Sequence, residues 1–188
     1  MLKRSAITLI VAVVLVAGGA AQQRASDAEE FTANYSNIGN VGATGATPLN
    51  IRVSRWTGDD DHLRLMQVLE KDGNDAFTRE LQRMKQAGSI GVPQQLAYPI
   101  LYARQTRLPE GGRKITLITD RPMTFEERTG SSISRDYPLT WVEMTLNKDD
   151  RGEGYVVLAA RLRKIGDVLG VEDLSTQPAK LNAIRRVR

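Results

Sequence analysis

Apolar and polar positions change rhythm twice along the chain. Phe31, Ala33 and Tyr35 alternate with polar neighbours, and Leu49, Ile51 and Val53 alternate with Asn50, Arg52 and Ser54. A period of two puts every second side chain on one face, so both segments read as half-buried strands. Gly39, Gly42 and Gly45 lie between them. A phosphate cradle would need a helix directly after those glycines; a strand follows, so they are expected to make a loose connection.

At residue 57 the spacing becomes helical. Leu63, Met66, Val68 and Leu69 recur at helix intervals, and Phe77, Leu81 and Met84 resume after "KDGND" (71–75). This predicts two short helices, about 60–71 and 74–86, joined by a turn at Gly73 and stopped by Gly88. Their apolar stripe is narrow, so they should lie against another surface. From residue 89 the period of two returns. Segments 96–108, 112–122, 138–148 and 152–164 read as strands, the first pair joined by "PEGG" (109–112) and the second by "KDDRGEG" (148–154). Both connections suit hairpins, the longer one with room for a bulge. The polar stretch 123–137 reads as an exposed loop. Residues 171–188 read as two short strands parted by a turn near Gln177 and Pro178, with a short helix from Pro178 as the competing reading. The sum is an α+β chain, mainly antiparallel β: a sandwich or small barrel of about seven or eight strands with an inserted helical pair at 60–86.

The 188 residues fit a single domain, and the ends refine its limits. Lys3 and Arg4 precede the apolar run 6–17, and "GGAA" (18–21) places small residues at Gly19 and Ala21. That is the pattern of a signal peptide cleaved after Ala21; a membrane-spanning helix would need about 20 apolar residues. Residues 22–30 are polar and aperiodic and read as a flexible start, leaving 31–188 as the domain. The chain carries 26 basic and 22 acidic residues, a net charge of +4, and two of the basic groups lie in the leader. The remaining +2 gives no field that would favour nucleic acid or an anionic membrane as partner, nor is a membrane anchor expected once the leader is removed. With no cysteine, disulfides, thiol nucleophiles, thiolate zinc sites and iron–sulfur clusters are excluded, and stability must come from the core.

"TGDDDHLRLM" (57–66) is the densest chemical stretch, with Asp59, Asp60 and Asp61 running into His62, the only histidine. Asp59, Asp61 and His62 have the chemistry of zinc, manganese or iron ligands. Adjacent residues on a forming helix diverge, however, and no second imidazole exists, so helix capping by Thr57 or Asp59 is the favoured reading. A serine hydrolase would have to use His62, and Ser89 and Ser131 lack a nucleophile-elbow context. Glu126, Glu127, Asp149 and Asp150 could form a carboxylate pair, but solvated loops account for them. "KDDRGEG" could also hold calcium weakly, though a charged turn explains it better. Trp56 and Trp141 are expected in the core rather than lining a cavity. Arg185, Arg186 and Arg188 should face outward from a terminal strand, where charge discourages edge pairing. No catalytic, cofactor-binding or metal-binding residue is assigned, and no cofactor is expected.

The phrases "IRVSRWTGDDD" (51–61), "LYARQTRLPEGGRKITLITDRP" (101–122), "YPLTWVEMTLNKDDRGEG" (137–154) and "QPAKLNAIRRVR" (177–188) together resemble an uncharacterised family of exported bacterial proteins. The resemblance implies the leader, the strand ending in Arg-Trp, the helical insert and the order of the hairpins. It implies no activity. The functional expectation is a periplasmic or extracellular, non-enzymatic binding module for a small apolar ligand or a protein partner. The alternatives are an envelope-structural or interaction protein and, behind it, a hydrolase.

Overall fold

A computed structural model describes residues 28–36, 46–123, 137–174 and 178–188. Ten strands and one kinked helix are formed: β1 (Glu29–Ser36), β2 (Thr47–Val53), α1 (Asp59–Gln82), β3 (Gly88–Gly91), β4 (Tyr98–Ile100), β5 (Tyr102–Arg107), β6 (Arg113–Thr119), β7 (Leu139–Leu146), β8 (Arg151–Ile165), β9 (Val168–Leu174) and β10 (Ala179–Arg186). All pairings are antiparallel, in the order β4-β3-β2-β1-β10-β8-β7-β6-β5, with β9 on β8. The two ends of that order, β4 and β5, are successive parts of one chain segment separated only by Leu101. β4 pairs with β3, β5 pairs with β6, and Leu101 N–H donates to Ile118 O at 3.0 Å. The sheet therefore curls into a nearly closed barrel.

The expected α+β antiparallel class is what forms. The strand number exceeds the expected seven or eight because the kink at Leu101 divides 96–108 and because "GSIG" (88–91) is a strand. Its glycines hide β3 from a hydrophobic pattern, and Gly88 is needed there: a Cβ would lie 2.0 Å from Arg52 O. The domain also begins earlier than residue 31, since Glu29 and Glu30 are paired to Val53 and Arg52. The helical pair is present as two arms of α1, interrupted at Gly73, whose φ of 78° favours glycine. β9 and β10 do not reverse relative to each other. Both run antiparallel to β8, Leu174 opposite Ala160 and Ala179 opposite Val156, so one follows the other along the same edge.

Two cores share the strands. The barrel interior is filled by aliphatic side chains at 0–1% exposure, among them Leu49, Ile51, Ile90, Leu117, Met144 and Leu181. Among the described residues these side chains keep almost no accessible area, so this interior is closely packed. On the outside, α1 lays Leu65, Met66, Leu69, Phe77 and Leu81 over Tyr102, Ile118, Trp141 and Val157. Where α1 covers them, β5 to β8 are thus buried on both faces, which explains unbroken apolar runs such as "YVVLAA" (155–160). β1, β2 and β10 have one wet face and alternate. The far half of β8 leaves the barrel, turns at Gly166 (φ 58°) and Asp167, and returns as β9. This two-stranded ribbon covers α1, contributing Leu162 and Leu169 to the outer core.

Candidate functional site

The acidic stretch at the helix entrance comes apart into separate roles. Asp59 pairs with Arg104 at 2.9 Å and Asp61 with Arg64 at 2.9 Å. The three aspartates lie in the first turn of α1, beside its positive end. Capping by Thr57 or Asp59 does not occur: the cap position is Gly58 and no side chain caps the helix. Thr57 instead extends the barrel closure, its N–H donating to Ala103 O at 2.7 Å and its Oγ1 accepting from Ala103 N–H at 3.0 Å. Thr57 is buried because a backbone strand end needs it more than the helix does.

His62 is buried at 4% exposure, and both ring nitrogens are used. Nε2 lies 3.0 Å from Asp167 O, a carbonyl that can only accept, so Nε2 carries the proton. Nδ1 then accepts from the Tyr102 hydroxyl at 2.9 Å. The lone histidine ties the start of α1 to the barrel and to the ribbon tip, and neither nitrogen is left for a metal or a nucleophile. Burial pushes the Tyr102 phenol above its ordinary value, only partly opposed by Arg104, which keeps the hydroxyl protonated for this bond. A group raised on folding stabilises fully below its unfolded value, about 10 for tyrosine, and that stabilisation is lost as pH climbs towards the folded value. Stability should therefore fall above about pH 10 by about 1.4 kcal/mol per pH unit from Tyr102 alone. Urea titrations of wild type and Tyr102→Phe across that range check this: the gap between them should narrow, and a constant gap would refute it.

At one end of the barrel Asp150 joins a cluster that the sequence pattern does not reveal. Arg113 Nε lies 2.9 Å from Asp150 Oδ1, Nη1 donates to Glu29 Oε1 at 3.2 Å and Gln105 Oε1 at 2.8 Å, and Nη2 reaches Glu29 Oε2 at 2.6 Å and Asp150 Oδ1 at 2.8 Å. Four of these contacts are hydrogen bonds, and the Nη2–Asp150 approach is an ion-pair contact. Arg186 adds contacts to Asp150 Oδ2 at 3.3 Å and Glu29 Oε2 at 3.6 Å, and Phe31 lies under Arg113. Burial alone would lower the Arg113 pKa, but hydrogen bonds and charge from Glu29, then Asp150, hold it above its ordinary value. Both carboxylates are committed to guanidinium, so this knot closes the barrel end and is not an acid–base pair. Arg185, Arg186 and Arg188 are all exposed, as expected of the tail, but Arg186 also reaches back to the cluster at the barrel mouth, which Arg185 does not. The separation follows from a bulge in β10 at Asn182 and Ala183, which advances the chain by one residue.

Of the remaining candidates, Trp141 is buried beneath α1 and Trp56 packs half-buried on the inner core, as expected. Ser89 lies on β3, and Asp149 is exposed in the β7–β8 turn. Glu126, Glu127 and Ser131, with most of the loop 123–137, lie outside the described residues, as do the glycines 39, 42 and 45.

Opposite α1 the barrel has an open, polar face, and there the loop 92–97 overhangs β1, β2 and β3. A groove of about 340 Å³ forms beneath it, floored by Thr32, Asn50, Arg52 and Ser89 and bounded by Val187 on one side and Pro93 to Gln95 on the other. The loop has a fixed base, because a Cβ on Gly91 would meet Ala97 Cα at 2.9 Å. Its tip is a turn closed by Gln95 N–H to Val92 O at 3.1 Å, with Pro93 in second position and Gln94 at φ 66° in third. That third position favours glycine or asparagine, so Gln94 is strained. Leu96, next along, is 95% exposed, and Val187 is 54% exposed. Nothing in the alternation marks this site; Leu96 and Ala97 are expected at the start of a strand over 96–108, but β4 begins only at Tyr98 and both belong to the loop.

Comparison with protein-family models, with curated proteins and with solved structures finds no match to this chain.

Proposed function

We propose that this protein is an exported, non-catalytic binding module that holds a protein partner on the open face of its barrel. The observation that carries the reading is the conjunction at the loop 92–97: a leucine at 95% exposure, beside a strained Gln94, over a polar-floored groove. A single exposed leucine is ordinary, but backbone strain held next to a concave surface is a feature of binding loops. The solid interior favours an outside partner over a small apolar ligand carried within the strands. A hydrolytic reading has less support, since His62 bonds a phenol and a carbonyl and the paired carboxylates are bound to Arg113.

A photo-crosslinking amino acid at position 96, in cells that produce the protein, should give a discrete adduct that is absent when the probe sits at position 71 on α1. Gln94→Gly should raise the unfolding free energy by about 1 kcal/mol, by relieving the left-handed strain, while weakening adduct formation. Identical adducts from both positions would sink the proposal.

A further inference from the structure

Strand register on the open face sets two arginines against each other. Arg151 on β8 is directly opposite Arg185 on β10, and both are exposed. Like charges in that position destabilise an antiparallel pair. Among the described residues neither guanidinium has a carboxylate within 4.0 Å; Arg185 donates from Nε to Thr32 Oγ1 at 3.2 Å. The β10 bulge makes this arrangement, and it holds Ala183 at φ 51°, a conformation that alanine resists. Leu181 and Ile184 both point inward across the bulge, so Arg185 is turned out and away from the Glu29 and Asp150 carboxylates that Arg186 reaches.

Arg185 and Arg151 also end a row. Gly91, Asn50, Thr32, Arg185 and Arg151 are in register across β3, β2, β1, β10 and β8. The first three line the groove under the 92–97 loop. Five strands at about 4.8 Å spacing make a track about 19 Å long from the groove to the arginine pair. The outward positions of β2, β1, β10 and the start of β8 carry Arg52, Lys180, Arg185 and Arg151 against Glu30 and Glu153 only.

We infer that this track binds an extended acidic polypeptide segment, its carboxylates bridging Arg151 and Arg185 and its neighbouring residues entering the groove. The inference rests on the proposed function and names the chemistry of its partner. A carboxylate between two guanidiniums relieves their repulsion and gains charge-assisted hydrogen bonds, so the uncompensated pair becomes favourable only when occupied.

The test is fluorescence anisotropy of a labelled synthetic oligoglutamate on the purified protein at low salt. Arg151→Thr and Arg185→Thr should each weaken binding about fivefold, the equivalent of about 1 kcal/mol at an exposed charged contact. Arg163→Thr on the ribbon should change nothing. Arg151→Thr should unfold at the same temperature as wild type or higher, because the like-charge opposition is gone. Equal affinity in all three variants would overturn the inference, and so would displacement of the peptide by sub-millimolar inorganic phosphate, which would mark a site for small free oxyanions. The assay uses no host partner, so its failure is separate from failure of the position-96 adduct.

Discussion

Glu29→Ala is expected to lower the unfolding free energy by about 3–5 kcal/mol, read as a fall in the urea midpoint at unchanged slope. Glu29 and Arg113 side chains are 9% and 15% exposed, so water has little access to the contacts that would be lost. Removing the carboxylate leaves two guanidinium donors facing the barrel end and takes away a countercharge shared with Arg186. The cost is that of an uncompensated charge more than that of a missing bond. Glu29→Ala combined with Arg113→Met should therefore be more stable than Glu29→Ala alone. A loss below about 1 kcal/mol for the single variant would mean that the knot behaves as an ordinary surface pair.

Asn74→Ala should cost about 2–4 kcal/mol, from two backbone groups left without partners. The Asn74 amide donates from Nδ2 to Leu162 O at 3.0 Å, and its Oδ1 accepts from Leu162 N–H at 2.7 Å. It thus occupies the edge of β8 as a neighbouring strand would, at the point where β8 has left the barrel. The break at Gly73 is what swings Asn74 to that edge. The loss should be local first. Amides of 161–171 should exchange faster than those of β6 and β7, since among the described residues the ribbon keeps the His62–Asp167 bond and the Lys164–Glu70 pair at 2.7 Å as its remaining polar ties to α1. Uniform exchange across the domain would show that the ribbon does not open by itself.

Much of the architecture follows from spacing within short windows. The alternation at 49–54 marks β2 as wet on one face, and the run "YVVLAA" fits a strand covered on both. Gly73 and Gly111, with φ of 78° and 88°, punctuate the helix and the β5–β6 hairpin at the expected places. β3 escaped because two glycines and a serine leave Ile90 as its sole apolar residue. Thr57 does not cap α1 although a hydroxyl before a helix suits capping locally, because Ala103, 46 residues away, claims it in the fold.

By itself the sequence determined most of the strands, β3 and the division at Leu101 excepted, and where the helical insert lies, because each depends on periodicity between near neighbours. Only the tertiary structure decided that Glu29 meets Arg113 across 84 residues, that His62 ends between a phenol and a carbonyl, and that Arg186 reaches Asp150 and Glu29 while Arg185 does not. Those outcomes depend on barrel closure and on one bulge in β10. A single-residue slip reverses every side chain after it, and nothing local to "NAIRR" (182–186) fixes that slip until β1 and β8 pair on either side.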